Sequence, residues 1–241
     1  MRIFAKTDVG KVRSLNEDSF SAKVLSDGAA LTVVCDGMGG ANAGDVASKI
    51  AVDVILNYVL KSYDPSMTSD DTTRLLRDAI LSANLEVFEY SKKDQSLFGM
   101  GTTVVAAVVR ENCAIICSVG DSRAYLVNDT ITQVTRDHSV VQSLIDSGKI
   151  TPQEARTHPE RNVITRALGV EDCLIVDDYY IDFTSNDKLL LCTDGFSNYV
   201  ENDTILSIIK TNPLDIMTDL LIQQANDGGG RDNITVAVVS H

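Results

Sequence analysis

The sequence lacks the features that mark several classes of protein. Its five cysteines are odd in number and contain no Cys-x-x-Cys pair, which argues against a disulfide framework or a thiolate zinc site. No apolar run reaches the roughly 18 residues that a membrane-spanning helix needs. The N-terminal residues also lack the apolar core of a signal peptide. We therefore expect a soluble, cytoplasmic protein with no membrane partner.

Basic residues are scarce as well. The chain has 21 Lys and Arg against 34 Asp and Glu, a formal net charge of −13. Because a nucleic-acid-binding protein normally carries a basic face, we predict no nucleic-acid partner. An acidic chain suits a protein that collects divalent cations. The few histidines support little: His138 and His158 lie in one polar segment and His241 is terminal, so we expect structural or solvated roles.

The apolar pattern predicts one α+β domain. With 241 residues, 44% of them apolar, the chain is long enough to bury a large core. Apolar residues recur at helical spacing from Val46 to Val59 and from Leu76 to Tyr90, and strand-like runs follow at residues 102–109, 113–119 and 124–127. Two helices followed by consecutive strands do not give the alternation of a doubly wound sheet. We predict a sandwich, with a polar flap at residues 138–169 over its surface.

Two strand-like runs end in the same way. Leu31–Cys35 is apolar and is predicted to stop on Asp36, with three glycines in the next four residues. Lys188–Cys192 is followed by Thr193-Asp194-Gly195. An ionised carboxylate at the end of a buried strand is costly without a cation or donors. The glycines after Asp36 are expected to allow positive φ angles and to leave backbone carbonyls open to a ligand. The two runs look like halves of one site.

Asp232, just before the last strand-like run, has a similar context. Oxygen ligands without histidine or cysteine favour Mg²⁺ or Mn²⁺ over zinc, and a pair of such ions suits an in-line phosphoryl displacement. Arg13 is a candidate for the guanidinium that such chemistry needs. From spacing alone, three turn aspartates, an ordinary surface arginine at position 13 and a solvated turn at Glu17-Asp18 remain open.

Other hydrolytic chemistries have weaker signals. Cys117 and Arg123 have the Cys-x5-Arg spacing of cysteine-dependent phosphatases. That chemistry needs a reactive thiolate in a loop that opens a helix, whereas the residues on both sides of this segment read as strand. A Ser-His-Asp hydrolase is disfavoured because there is no G-x-S-x-G elbow.

Taken together, the residues resemble those of the bacterial metal-dependent type 2C protein Ser/Thr phosphatases. The resemblance runs nearly end to end, and its motifs come in the family's order. They are Arg13-Ser-x-Asn-Glu-Asp18, Asp36-Gly-Met-Gly-Gly40, Gly99-Met-Gly-Thr-Thr103, Val119-Gly-Asp-Ser-Arg123, Asp137-His-Ser139, His158-Pro, Arg166-Ala-Leu-Gly169, Thr193-Asp-Gly195 and Gly229-Gly-Arg-Asp-Asn-Ile-Thr235.

The resemblance implies a four-layer α-β-β-α sandwich, in which two mainly antiparallel sheets are flanked by helix pairs. It implies a centre of two Mg²⁺ or Mn²⁺ ions, with a weaker third ion, and hydrolysis of phosphoserine or phosphothreonine by metal-activated water. The residue roles that it implies follow. Asp36 bridges both ions, the Gly37 carbonyl completes one shell, Asp194 and Asp232 hold the other ion, Asp121 helps to bind the third ion, Glu17 and Asp18 orient water, and Arg13 binds the phosphate.

The chain departs from the family at one position. Members often have a histidine after Asp-Gly-Met-Gly-Gly, which is a proposed general acid, and this chain has Ala41. The expected partners are phosphorylated proteins, namely a bacterial Ser/Thr kinase and its substrates, and the expected state is a monomer. The alternatives are a phosphoprotein-binding pseudophosphatase and a small-molecule phosphomonoesterase.

Overall fold

Two antiparallel β-sheets packed face to face form the centre of the molecule. The computed structural model describes residues 1–39 and 43–241. In this described part, no helix is both long and apolar enough to cross a lipid bilayer. The strands are β1 (Arg2–Asp8), β2 (Asp18–Val24), β3 (Ala30–Met38), β4 (Gly101–Thr102), β5 (Val104–Val109), β6 (Cys113–Val119), β7 (Arg123–Val127), β8 (Ile131–Gln133), β9 (Asp177–Asp182), β10 (Lys188–Cys192) and β11 (Ile234–Ser240).

The helices are α1 (Gly44–Ser62), α2 (Ser69–Ser91), α3 (Val140–Asp146), α4 (Pro152–Ala155), α5 (Asp194–Ser197), α6 (Asn202–Thr211) and α7 (Leu214–Asp227). The outer face of one sheet is covered by α1 and α2, and that of the other by α5, α6 and α7. A capping box opens α2, where the Thr68 hydroxyl accepts from the Asp71 backbone N–H and the Asp71 carboxylate accepts from the Thr68 N–H. The same device, Thr151 with Glu154, opens α4 and satisfies backbone donors that a helix start leaves free.

The strand order shows how distant segments meet. One sheet has the order β1-β11-β10-β7-β8, and the other has the order β2-β3-β5-β6-β9 with β4 paired to β3. Neighbouring strands of both sheets are antiparallel. The first strand thus pairs with the last, and Arg2 lies opposite Ser240.

Three apolar layers hold the sandwich together. Successive side chains of a strand point to opposite faces, and β3 shows the result. Leu31 and Val33 pack in the layer against α1 and α2, whereas Ala30 and Val34 pack in the layer between the sheets. A third layer joins the other sheet to α5, α6 and α7. Because both faces of the central strands are buried, β5, β6, β10 and β11 read as nearly unbroken apolar runs. The predicted four-layer α-β-β-α sandwich is confirmed.

The predicted end of the strand that carries Asp36 was wrong. β3 does not stop on Asp36 but continues through Gly37 to Met38. Gly37 pairs with Thr102 and Met38 with Gly101 in the short β4, and the Gly37 N–H donates to the Glu17 carbonyl at 3.1 Å. These partners come from segments far away in sequence, so a local apolar pattern does not reveal them.

The polar segment at residues 138–169 is fastened at both ends. An isolated bridge pairs Ser139 with Ile164, and another pairs Thr102 with Leu168. His138 is buried and its Nδ1 accepts from the Gly120 N–H at 3.0 Å. The role of His138 in this structure is thus to hold the segment to the core.

Candidate metal centre

The antiparallel pairing brings three of the predicted acidic residues to one edge of the first sheet. Cys192 lies opposite Val236 on one side and Arg123 on the other. Hence the C-terminal end of β10 adjoins the N-terminal ends of β7 and β11. Asp194 follows β10, while Asp121 and Asp232 precede β7 and β11 by two residues each.

Asp36 comes from the other sheet and completes what we call the acidic edge: Asp36, Asp121, Asp194 and Asp232. Each of the four is half-buried. Burial raises the pKa of Asp36 well above its ordinary value, and the charges of Asp18, Asp194, Asp121 and Asp232 raise it further. Carboxylates held this close without a cation oppose one another's ionisation.

The pKa of the other acids moves in the same direction. Burial raises the pKa of Asp194, the charge of Asp232 adds to this, and a hydrogen bond with Asp36 acts in the opposite sense. Burial and the charge of Asp194 raise the pKa of Asp121 to about 8. Groups whose pKa values are perturbed by burial and by like charge are typical of functional sites.

Asp18 lies behind the acidic edge. It pairs with Asp36 across β2 and β3, and its carboxylate accepts from the hydroxyls of Thr193 at 2.9 Å and Thr235 at 2.6 Å. Burial raises the pKa of Asp18 to about 7, although the two hydroxyls lower it. These hydrogen bonds cross between the sheets, because Thr235 lies on β11 and Thr193 directly follows β10.

Arg13 and Glu17 lie on the loop that precedes β2. The Arg13 guanidinium donates to Asp232 at 2.9 Å, and this hydrogen bond raises the Arg13 pKa further. Burial raises the pKa of Glu17, while the charge of Arg13 and the Gly44 N–H lower it. The structure therefore brings all eight of the predicted site residues, Arg13, Glu17, Asp18, Asp36, Gly37, Asp121, Asp194 and Asp232, to one region.

The sequence analysis gave no role to Asn233, which holds this loop. The Asn233 amide donates to the carbonyl oxygens of Val9 at 3.0 Å and Leu15 at 2.9 Å. Its own carbonyl oxygen accepts from the Glu17 N–H at 2.8 Å. One buried side chain thereby fixes both ends of the segment that carries Arg13. A polar residue next to Asp232 in a glycine-rich turn was the only signal.

Positive φ angles were predicted for the glycines after Asp36; Gly39 has one, with a φ of 153°, Gly37 does not, and Gly40 lies outside the described residues. Gly37 and Gly195, the glycines of the two Asp-Gly pairs, are needed for another reason. A Cβ at Gly37 would collide with the Gly44 carbonyl and lie 2.6 Å from the Glu17 carbonyl oxygen. A Cβ at Gly195 would overlap the Asn233 carbonyl oxygen. Glycine is needed because backbone segments pass too close for any side chain.

The donor set fits a hydrated hard cation. Over the described ranges, no three His, Cys, Asp or Glu side chains approach closely enough to enclose an ion by themselves. Mg²⁺ and Mn²⁺ are bound through carboxylate and carbonyl oxygens, and Mg²⁺ retains several waters. A buried oxygen of Asp18, Oδ1, has no hydrogen-bond partner in the described structure. An oxygen-only edge with crowded acids and a free buried acceptor suits such ions.

The cysteine alternative does not fit the structure. Cys117 lies inside β6 and is buried. Burial raises the pKa of the Cys117 thiol to about 12, whereas a nucleophilic cysteine needs a lowered pKa. Arg123 is engaged with Asp137, to which its Nη2 donates at 2.6 Å.

This fold and this acidic edge define a metal-dependent protein phosphatase architecture. The family model described as protein phosphatase 2C matches residues 11–219, and the chain belongs to this family. It is 40% identical over 236 residues to the serine/threonine phosphatase stp of Listeria welshimeri, covering 97% of this chain and 93% of the relative.

Solved structures show the same similarity. Serine/threonine phosphatase Stp1 from Staphylococcus aureus superposes with a TM-score of 0.93 at 36% identity, covering 99% of this chain and 94% of Stp1. The catalytic domain of protein phosphatase PstP, solved with two manganese ions, superposes with a TM-score of 0.86 at 35% identity, covering 98% and 96%. The predicted family is thereby confirmed. Ala41, the departure from the family pattern, lies outside the described residues.

Proposed function

We propose that this chain is a metal-dependent protein Ser/Thr phosphatase that hydrolyses phosphoserine and phosphothreonine in proteins. The observation that carries the proposal is the acidic edge, where carboxylates from two sheets meet in a member of the protein phosphatase 2C family. The Listeria and Staphylococcus relatives carry this activity in their names. We further propose that residues 1–241 form one catalytic domain with a flap at residues 138–169.

Each side chain of the site has a defined task in this proposal. Asp36, Asp194, Asp232 and the Gly37 carbonyl would hold two ions, as two manganese ions occupy PstP, and Asp121 would contribute to a weaker third site. When bound, such ions lower the pKa of water and neutralise the oxygens of a phosphate. The remaining residues act on water and substrate: Glu17 and Asp18 orient water, and Arg13 binds the phosphate.

The experiment that tests the function compares substrates and metal. The protein should release phosphate from a phosphothreonine peptide in the presence of Mn²⁺ or Mg²⁺. Release should stop when a chelator is added, because without cations the negatively charged acidic edge repels the phosphate of the substrate. A nucleotide and a sugar phosphate serve as comparison substrates. Peptide binding without hydrolysis would support a pseudophosphatase instead, and preference for the small phosphates would support a phosphomonoesterase.

Cellular context is also part of the proposal. The substrates would be proteins phosphorylated by a bacterial Ser/Thr kinase, together with that kinase, and the enzyme would act in the cytoplasm as a monomer in signalling. Incubation with an autophosphorylated bacterial Ser/Thr kinase tests the partner directly, and light scattering tests the monomer.

Arg13→Ala is expected to lower kcat/KM for a phosphopeptide about ten- to a hundredfold. The loss corresponds to charge-assisted hydrogen bonds of about 1.5–3 kcal/mol. Mn²⁺ affinity should not weaken, since the substitution also frees Asp232 from its ion pair with Arg13. Arg231→Ala is the matched control, because Arg231 is exposed and adjacent to Asp232 in sequence. Equal losses in both variants would contradict the assignment.

Ala41→His is expected to raise turnover of an alkyl phosphoester, by about tenfold or more, and to leave an aryl phosphoester unchanged. An alkoxide is a poor leaving group that needs a proton, whereas a phenolate leaves without one, and a positioned general acid contributes about 10²–10⁴-fold. Steady-state rates on phosphoserine peptide and p-nitrophenyl phosphate make the comparison. Equal effects on both substrates would count against a limiting general acid.

A further inference from the structure

A closed ring of hydrogen bonds lies behind Asp18. The Asn16 amide donates to the Thr7 hydroxyl at 2.8 Å, the hydroxyls of Thr7 and Thr235 are 2.8 Å apart, and the Thr235 hydroxyl donates to Asp18 Oδ2 at 2.6 Å. The ring closes where the Asp18 N–H donates to Asn16 Oδ1 at 3.2 Å. It links β1, β11 and β2, which belong to both sheets.

With the Asp18 carboxylate ionised, every hydrogen bond in the ring has one direction. A threonine hydroxyl has one proton to donate, and the proton of Thr235 goes to the Asp18 carboxylate, so the Thr7 hydroxyl must donate to Thr235. Thr193 is fixed in the same way: its hydroxyl accepts from the Thr235 N–H at 3.0 Å and donates to Asp18 Oδ2 at 2.9 Å. Two threonine hydroxyls thus converge on a single carboxylate oxygen.

The other oxygen of Asp18 is left free. Oδ1 is buried and has no hydrogen-bond partner in the described ranges. A buried acceptor without a donor costs about 1–3 kcal/mol, so this oxygen calls for a donor or a cation. Its surroundings are acidic, because Asp18 is paired with Asp36 and lies close enough to Asp194 and Asp232 for their charges to act on it. They favour the hydrated cation of the proposed metal centre.

We propose that Thr193 and Thr235, supported by Thr7, are positioning residues of the metal centre. By donating to Oδ2, Thr193 and Thr235 fix the rotamer of Asp18. Oδ1 is then the oxygen that remains free to accept from the water that Asp18 would orient at the metal centre. Because Asp18 is the strand partner of Asp36 and Thr193 is the chain neighbour of Asp194, the same hydrogen bonds hold the two acids of different sheets in register. This inference rests on the proposed function and adds residues to its site.

The test measures Mn²⁺ binding directly, by electron paramagnetic resonance of the free ion, and needs no turnover. Thr235→Val keeps nearly the same shape and removes the hydroxyl. We expect it to raise the Mn²⁺ dissociation constant about tenfold, the lower end of the loss seen when a hydrogen-bonding group that surrounds the metal ligands is removed. Thr193→Val should have a similar effect. Thr235→Ser restores the hydroxyl and should stay within about twofold of the parent.

Two controls separate positioning from general structural damage. Thr32 is a buried threonine on β3 whose hydroxyl has no hydrogen-bond partner in the described structure, and Thr32→Val should bind Mn²⁺ like the parent. In an Asp18→Ala background, which removes the acceptor, Thr235→Val should cause no additional loss, because the hydroxyl acts only through the Asp18 carboxylate.

Three results would overturn the proposal: parental affinity in Thr235→Val and Thr193→Val, an equal loss in Thr235→Ser, or full additivity with Asp18→Ala. If Thr235→Val does not fold, Thr193→Val decides by the same criteria. A parent protein that binds no Mn²⁺ would refute the proposed function itself, and with it this inference.

Discussion

Asp36→Asn is expected to lower metal-dependent phosphatase activity about a thousandfold and, in the presence of chelator, to raise the melting temperature. The first effect follows because the carboxylate that joins the two sheets at the acidic edge is lost, and metal ions supply several kcal/mol of transition-state stabilisation. The second follows because Asp36 is crowded by other acids. The two effects have opposite signs, which a purely disruptive substitution would not produce.

The sign of the stability change comes from the pKa. Burial, with the charges of Asp18 and Asp194, raises the folded-state pKa of Asp36 well above its unfolded value. Such a group contributes stability at a pH below its unfolded pKa, and this contribution is lost as the pH rises through the folded pKa. At pH 7.5 the neutral asparagine removes this penalty. If the free energy of unfolding increases by about 1 kcal/mol, the melting temperature should rise by roughly 2–4 °C for a domain of this size.

The same linkage predicts how the parent protein responds to pH. With chelator present, its melting temperature should fall as pH rises from about 5 to 8, because burial raises the pKa of Asp18 to about 7 and that of Asp121 to about 8. Mn²⁺ should reverse this decline by neutralising the acids. In Asp36→Asn the decline should be shallower.

Thermal denaturation from pH 5 to 8, with Mn²⁺ or chelator, combined with phosphopeptide hydrolysis, measures both effects. Asp53→Asn is the matched control, because Asp53 is exposed on α1, and it should change neither quantity. A variant at position 36 that keeps a tenth of the activity, or melts below the parent at pH 7.5 in chelator, would contradict the prediction.

Gly195→Ala is expected to destabilise the fold by about 3 kcal/mol or more and to remove activity from whatever protein still folds. A single methyl group is added, but it would overlap the Asn233 carbonyl oxygen. Overpacking of a well-packed site costs about 1–3 kcal/mol and sometimes more. The cost is high here because Asn233 has little freedom to move: its side chain is hydrogen-bonded to Val9, Leu15 and Glu17.

The overlap can be relieved by a shift of either backbone segment, and either shift displaces residues of the site. A shift of α5 would displace Asp194, and a shift of Asn233 would displace Asp232 together with the loop that carries Arg13. Gly28→Ala is the control: Gly28 has a φ of 85° but open space around its Cα, so alanine there costs only about 1 kcal/mol of backbone strain. Urea denaturation and hydrolysis assays make the comparison, and similar losses in both variants would refute the steric argument.

Asp36 and Gly195 show which features of the site could be predicted from the sequence and which could not. The aspartate was found because an ionisable residue after a buried apolar run is costly and calls for a partner. Gly195 was noticed as part of the second Asp-Gly pair, but the reason why it must be glycine was not predicted. It is required by the approach of the Asn233 carbonyl, 38 positions later in the chain, and no local pattern encodes such a distance.

The residues that hold the site were harder to detect than the residues that form it. Asn233 and Thr235 lie beside Asp232 in one short motif, yet a buried amide or hydroxyl has no sequence signature until its partners are known. Their partners are Glu17 and Asp18, more than 200 residues away in the chain. The extension of β3 past Asp36 escaped prediction for the same reason, since β4 supplies its pairing.

Local patterns in the sequence predicted an α+β sandwich and singled out Asp36, Asp194 and Asp232, whereas the four-layer arrangement and the roles of Asp121, Glu17 and Asp18 came from the family resemblance. Apolar periodicity and the cost of burying charge are local properties, which can be read from neighbouring residues. The tertiary structure alone showed that β3 runs on past Asp36 to pair with β4, and that the hydroxyls of Thr193 and Thr235 support Asp18 between the two sheets. Those relations depend on strand pairing between distant segments, and hydrogen bonds and charge repulsion act over distances that only the folded chain defines.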